Sequence, residues 1–206
     1  MGNSNYSSKV TFFNSGYVES GINDEDFDIT FCKRKYTLRK GSNVTFYESG
    51  KVKSTYIKND FEINLNNINL FIREGDFFNL YENCNLKEIS SYENLTLYLN
   101  KVEYTFASGF PLIFYDDGFF LSGLLSKPST TNIQGIDMNI YNIQNGGIPD
   151  SYLITTFYKS GKIKSFSPNE SVKIQYNNSP YYVYPNHRIN LDEDGNITEI
   201  TDAYDL

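Results

Sequence analysis

Apolar and polar positions alternate along short stretches of this chain, and the alternation recurs. Phe27, Ile29 and Phe31 occupy every second position, as do Phe61, Ile63 and Leu65, then Leu95, Leu97 and Leu99, and later Val172, Ile174 and Tyr176. Between them fall Asp28 and Thr30, Glu62 and Asn64, Thr96 and Tyr98, and Lys173 and Gln175. A period of two marks strands with one buried face. Asn66-Asn67 and Asn177-Asn178 follow two of these stretches and read as turns into INLFIREG and SPYYVYPN, which makes each stretch one arm of a β-hairpin.

The chain also writes one nonapeptide almost twice, FYESGKVKS at 46–54 and FYKSGKIKS at 157–165. Aligned on its glycine, the motif recurs at Gly16, Gly50, Cys84, Gly118, Gly161 and Gly195, with spacings of 34, 34, 34, 43 and 34 residues. This is an internal period with one nine-residue insertion. Four residues before the anchor stand Phe12, Phe46, Leu80, Phe114, Phe157 and Leu191; two after it stand Val18, Val52, Leu86, Phe120, Ile163 and Ile197. A type I turn closed by a left-handed residue sets these two apolar columns opposite each other, on the core face. A second turn glycine precedes the anchor by nine residues at Gly41, Gly75 and Gly109, and Asn186 is expected to take the same left-handed conformation before Gly195. Cys84 is the one anchor with a side chain, at a cost of roughly 1 kcal/mol in that conformation.

The expected fold is therefore all-β: a single repeat domain over 1–206, about six units of two hairpins each, in an antiparallel meander or solenoid-like stack. A sandwich or propeller-like closure is the alternative, although 34 residues is short for a four-stranded blade. The insertion is expected within 128–152.

Composition agrees with strands and narrows the partners. Aromatics make up 17% of the residues, as 18 Tyr and 16 Phe without Trp. A net charge of −7 leaves no basic stripe for a phosphate backbone, so a nucleic acid is not an expected partner. No apolar run reaches the roughly 18 residues of a membrane span. The start, GNSNYSS after Met1, is the kind of polar stretch that follows the lipid-bearing Cys of a mature bacterial lipoprotein. A place on the bacterial cell envelope follows if Met1 stands for that Cys, and a cytoplasmic one otherwise. Cys32 and Cys84 have no metal spacing and read as two free thiols.

Candidate chemistry lies on a surface rather than in a motif. The column three residues before the anchor holds Phe13, Tyr47, Tyr81, Tyr115 and Tyr158, then Asp192, with Tyr17, Lys51, Asn85, Phe119, Lys162 and Asn196 expected across the hairpin. That register predicts an exposed aromatic ladder, suited to a protein or glycan because tyrosine rings lose little entropy on ordering. Cross-strand pairing, Tyr over Lys included, is the purely structural use of the same rings. The insertion supplies Gln134, Asp137, Tyr141, Asn145, Gly146 and Gly147 as a second candidate binding set, since loops that interrupt a repeat often carry function. The acidic runs at 23–26, 116–117 and 192–194 lack calcium-loop spacing and read as solvated turns. The sole histidine, His187, has no nucleophile motif beside it, and no phosphate loop or metal signature occurs, so neither catalysis nor a cofactor is expected.

FYESGKVKS and FYKSGKIKS, with LYENCNLKE and FYDDGFFLS, resemble the hairpin of MORN-type repeats in their bacterial variant form. The resemblance covers about a quarter of the chain, and 34 residues is longer than a MORN unit. It implies an extended antiparallel sheet used as a noncatalytic scaffold for protein or membrane-surface contacts. Three functions stand in order: a protein-binding β-repeat scaffold, a glycan- or cell-wall-binding module, and a hydrolase whose site assembles from distant strands.

Overall fold

The computed structural model describes residues 10–31, 34–57, 60–66, 68–141 and 154–202. These residues form 22 strands and no helix. The chain divides into two compact units, Met1–Ser91 with Tyr115–Gly118, and Tyr92–Phe114 with Phe119–Leu206.

In the first unit, hairpins follow one another as β1 (Thr11–Phe12) with β2 (Val18–Ile22), β3 (Phe27–Phe31) with β4 (Arg34–Leu38), β5 (Asn43–Phe46) with β6 (Val52–Tyr56), β7 (Phe61–Leu65) with β8 (Ile68–Ile72), and β9 (Phe77–Leu80) with β10 (Leu86–Ser90). The odd-numbered hairpins join edge to edge in the order β1-β2-β5-β6-β9-β10, an open antiparallel meander, while β3–β4 and β7–β8 remain separate two-stranded sheets. The second unit repeats the scheme with β11 (Leu95–Leu99) and β12 (Val102–Phe106), β13 (Pro111–Phe114) and β14 (Phe120–Gly123), β15 (Ser129–Ile133) and β16 (Ile136–Ile140), and β17 (Thr155–Phe157) and β18 (Ile163–Phe166). It closes with β19 (Val172–Tyr176) and β20 (Ser179–Val183), then β21 (His187–Leu191) and β22 (Ile197–Asp202). Here the meander is β13-β14-β17-β18-β21-β22, and β11–β12, β15–β16 and β19–β20 stand apart as pairs. Each of the first five repeats thus contributes one meander hairpin and one separate hairpin, and the sixth contributes the meander hairpin β21–β22.

The anchor turns are those the sequence predicts. Every anchor is left-handed, with φ of +80° at Gly50, +78° at Gly161 and +68° at Cys84. The Gly50 amide donates to the Tyr47 carbonyl at 2.9 Å and the Tyr47 amide to the Lys51 carbonyl at 2.8 Å, closing a type I turn with a glycine bulge. The bulge sets Phe46 opposite Val52, and its copy sets Phe157 opposite Ile163. Four of the separate hairpins close on two-residue turns, left-handed at Asn66, at Asn100 and Lys101, at Gln134 and Gly135, and at Asn177 and Asn178; Asn67 and the residues between β3 and β4 lie outside the described ones. Gly41, Gly75 and Gly109 are left-handed too, but Asn186 is not. In Tyr184-Pro185-Asn186-His187 the His187 amide donates to the Tyr184 carbonyl at 2.8 Å, and proline in second place suits a type I turn, whose third residue keeps φ negative.

The core lies between the two layers. In the second unit the Tyr104 ring of β12 meets Phe157 of β17 at 5.1 Å, and Phe106 meets Phe120 of β14 at 4.9 Å. The separate hairpin of the third repeat therefore covers the meander hairpins of the fourth and fifth. The turns keep the same offset of two: Asn66 Nδ2 donates to the Asp117 carbonyl beside the fourth anchor at 3.1 Å, and the Asn100 amide sits 2.8 Å from where a Cβ on Gly161 would lie. Burial in the first unit follows from the offset. Phe12 of the first meander hairpin is 60% exposed, Phe46 of the second is half-buried, and Leu80 of the third is fully buried.

The region of the insertion is partly regular. β15–β16 fills 129–140 in register with its counterparts, pairing Ser129 with Ile140 through Ile133 with Ile136. The extra residues therefore fall after Ile140 and before β17, in the stretch whose residues 142–153 lie outside the described ones.

Candidate functional site

The tyrosine column is half-buried at Phe13, Tyr47, Tyr81, Tyr115 and Tyr158, which corrects the expectation of an exposed ladder. The reason is a contact between successive repeats. Tyr47 Oη donates to the Leu80 carbonyl at 2.6 Å, and Tyr158 Oη donates to the Leu191 carbonyl at the same distance; both links span 33 residues. The residue just after the anchor makes a second tie, from Lys51 Nζ to the Glu82 carbonyl at 2.9 Å and from Lys162 Nζ to the Glu193 carbonyl at 2.8 Å. Asn85 Nδ2 repeats it on the Asp116 carbonyl at 2.7 Å. The cation over each ring is instead the lysine three residues after the anchor: Lys53 on Tyr47, Lys87 on Tyr81 and Lys164 on Tyr158, all 5.7–5.8 Å from the centroid. The nonapeptide recurs because its Tyr and its first Lys both hold the following turn. Burial pushes the Tyr47 and Tyr81 hydroxyls above their usual range, with Glu82 and Asp116 respectively adding to the effect.

A further column escaped sequence reasoning. Five residues before and four after the anchor, Thr11 faces Ser20, Thr45 faces Ser54 and Thr156 faces Ser165, each hydroxyl pair at 2.6 Å. Ser165 Oγ also accepts from an Arg188 guanidinium nitrogen. The signal was present as hydroxyls at matched positions of three copies.

Of the insertion candidates, Gln134 occupies the left-handed turn of β15–β16 and Asp137 sits on β16, where its carboxylate accepts from Asn132 Nδ2 at 2.6 Å. Tyr141 is fully buried, packed with Ala107 and Leu124. Asn145, Gly146 and Gly147 lie outside the described residues.

Two of the three acidic runs cap turns. Asp192 takes the tyrosine position in the last repeat; its Oδ1 accepts the amides of Asp194 at 3.0 Å and Asn196 at 2.8 Å, and its Oδ2 accepts from Asn196 Nδ2. Hydrogen bonds from Asn196 hold this carboxyl below its usual range. Asp26 and Asp60 accept the amides of Lys40 and Glu74 in the same manner. Among the described residues no three His, Cys, Asp or Glu side chains gather as a metal ion requires. His187 is buried with Nε2 3.7 Å from Asp202 Oδ2, and the rings of Tyr184 and Tyr181 stand 5.4 and 6.0 Å away. The Cys84 thiol is free and half-buried; Cys32 lies outside the described residues.

Among the described residues, two surfaces of the second unit set apolar groups beside polar ones. One is a cleft of about 330 Å³ between the β11–β12 turn, β15 and the turns at Gly161 and Gly195. Leu99, Ile163 and Leu191 line it beside the side chains of Asn100, Thr130 and Asn132. The other is the outward face of the separate hairpins, where Tyr98 and Tyr182 are exposed. Tyr98 Oη donates to Glu103 Oε2 at 2.6 Å, and Lys173 Nζ stands 5.7 Å over the Tyr182 ring. The first unit carries the same device, with Phe71 exposed and the Arg73 guanidinium 5.6 Å over it. In comparisons with protein-family models, curated proteins and solved structures, nothing matches the chain.

Proposed function

We propose that the protein is a noncatalytic β-repeat scaffold that binds another protein through the outward face of the separate hairpins of its second unit. The observation that carries this reading is the exposed aromatic ring beside a charged group on two of them, Tyr98 with Glu103 and Tyr182 with Lys173, a device that the first unit carries by itself at Phe71 and Arg73. Such rings present a rigid apolar face with a polar rim, the combination that dominates protein interfaces. The ladder of Tyr47, Tyr81, Tyr115 and Tyr158 is half-buried, and the hydroxyls of Tyr47 and Tyr158 are engaged within the fold, which moves the proposed contact to the hairpin face.

A glycan is the second reading. The cleft is of the size of a small sugar and offers amides and hydroxyls over an aliphatic floor. The test compares capture by the wild-type chain and by a Tyr98→Ser/Tyr182→Ser variant, followed by affinity measurement with the purified partner. Loss of the partner by a variant that melts normally supports the protein reading. Unchanged capture excludes that face, and competition by oligosaccharides turns the assignment to the cleft.

A further inference from the structure

We infer that the cleft between β12 and β15 takes an extended, basic segment of a partner protein as an added β-strand. Such a contact deepens the protein-binding reading above and rests on it.

In a hairpin closed by a two-residue turn, the pair flanking the turn exchanges both its hydrogen bonds, and bonded and non-bonded pairs alternate from there. On β11–β12 the flanking pair is Leu99 with Val102, and on β15–β16 it is Ile133 with Ile136. The amides and carbonyls of Glu103 and Thr105 therefore point away from β11, and those of Thr130 and Asn132 away from β16. Two bonds follow this alternation: the Thr105 carbonyl accepts the Ser126 amide at 2.8 Å, and the Ala107 amide donates to the Leu124 carbonyl at 2.8 Å. With the bridge between Phe106 and Leu125 they join the two hairpins at their base. Towards their turns β12 and β15 belong to separate sheets, and the cleft of about 330 Å³ lies between Val102 and Tyr104 on one and Thr130 to Ile133 on the other. There the main-chain groups of Glu103, Thr130 and Asn132 meet no protein partner among the described residues. The next two separate hairpins repeat the device: the Asn139 carbonyl accepts the Asn169 amide at 2.7 Å at the base, and a second cavity lies between Ile136 of β16 and Ile174 of β19.

An unpaired strand edge is a template for another strand unless the fold blocks it. The outward position on β20 is Pro180, which has no amide to donate, whereas β12 and β15, VEYTF and STTNI, hold no proline. Thr130 and Asn132 stand two residues apart, each with a donor and an acceptor, so alternate residues of an incoming strand can be bonded twice each. Leu99, Ile163 and Leu191 line the cleft for its inward side chains. Charge selects the strand. Lys162 is held on the Glu193 carbonyl and Asp192 caps its own turn, whereas Glu193 and Asp194 are exposed at the rim, with carboxylates that no ion pair or hydrogen bond engages among the described residues. Basic side chains complement that rim.

The test is amide hydrogen exchange, read residue by residue by NMR on the purified chain, with acetyl-Lys-Val-Lys-Val-Lys-amide as the probe. In the free chain the amides of Thr130 and Asn132 are expected to exchange fast, and those of Thr131 and Ile133, bonded to β16, slowly. With the peptide at saturation the first two are expected to slow by at least roughly tenfold. Of two N-methylated peptides, one methylated at the valines and one at the lysines, at least one is expected to lose this effect, because one set of amides faces β15. Acetyl-Glu-Val-Glu-Val-Glu-amide is expected to have no effect, and Glu193→Gln/Asp194→Asn to weaken the basic peptide by about tenfold at an unchanged melting temperature. No added protection at millimolar peptide, equal binding of both methylated peptides, or equal binding of the acidic one would each overturn the inference. Protection by maltotriose in place of the peptide would also overturn it and assign the cleft to a glycan. If Tyr98→Ser/Tyr182→Ser loses the protein partner while the peptide protects nothing, the hairpin face stands and only the added strand falls.

Discussion

The hydroxyl of Tyr47 donates to the main-chain carbonyl of Leu80, 33 residues further on, and the identical link recurs from Tyr158 to Leu191. A carbonyl at the end of a meander strand is thereby satisfied by the preceding repeat. Stability in such a stack comes from neighbour contacts, and Tyr47 and Tyr158 each tie one repeat to the next. In the last repeat Asp192 replaces the tyrosine and caps its own turn instead.

Glycine is required more strictly at one anchor than at another. At both Gly50 and Gly161 an alanine meets left-handed strain of about 1–2 kcal/mol. At Gly50 the added methyl finds open space, whereas at Gly161 it lies 2.8 Å from the Asn100 amide nitrogen. Gly161→Ala is expected to lower stability by at least roughly 1 kcal/mol more than Gly50→Ala, since backbone must move to admit the methyl. Urea unfolding of the two variants side by side checks this, and equal losses would remove the contact from the account.

Cys84 runs the opposite way. Its φ of +68° is left-handed with a side chain in place, and its thiol makes only a 4.0 Å contact with the Glu82 carbonyl. Cys84→Gly relieves the strain but frees the unfolded chain, and the net expectation lies between no change and a gain of about 1 kcal/mol. A clear fall in melting temperature would show that the thiol does more than fill a turn.

Ser165 is buried and accepts from Arg188 while pairing with Thr156. Ser165→Ala removes an acceptor from beneath a guanidinium and is expected to cost about 1–3 kcal/mol. Ser20→Ala, at the half-buried position of the same column in the first hairpin, is expected to cost less; thermal melts of the two variants decide it.

Alkaline pH should weaken the fold. Tyr47 and Tyr81 hold their protons more tightly folded than unfolded, chiefly because burial disfavours the phenolate. Their contribution is complete below the usual tyrosine value of about 10 and is lost as pH rises through the raised folded values. The urea midpoint is expected to fall above that pH, and less steeply for Tyr47→Phe/Tyr81→Phe. An equal slope in that variant would assign the alkaline loss to other groups.

The period, both apolar columns and the left-handed turn at Cys84 were legible because each is a local demand written at a fixed spacing. The use of the tyrosines was not. A hydrogen bond from Tyr47 to a carbonyl 33 residues away depends on how one repeat lies against the next, which periodicity alone does not specify. For the same reason the lysine over the ring is Lys53 and not Lys51: Lys51 is drawn to the carbonyl of Glu82. β15–β16 was hidden by its composition, STTNIQGIDMNI, in which Ser129 and Thr131 fill positions held elsewhere by apolar residues. Asn186 misled because proline before it permits a turn with negative φ.

The repeat-to-repeat hydrogen bond of the tyrosine column is put to its sharpest test by equilibrium urea unfolding of Tyr158→Phe beside Tyr182→Phe. Removing the Tyr158 hydroxyl deprives the Leu191 carbonyl of its donor and is expected to cost roughly 1 kcal/mol. Tyr182 is exposed on the outward face and its hydroxyl should be dispensable to within about 0.5 kcal/mol. Equal stability of the two variants would contradict the assignment of the tyrosine column to holding the repeats together.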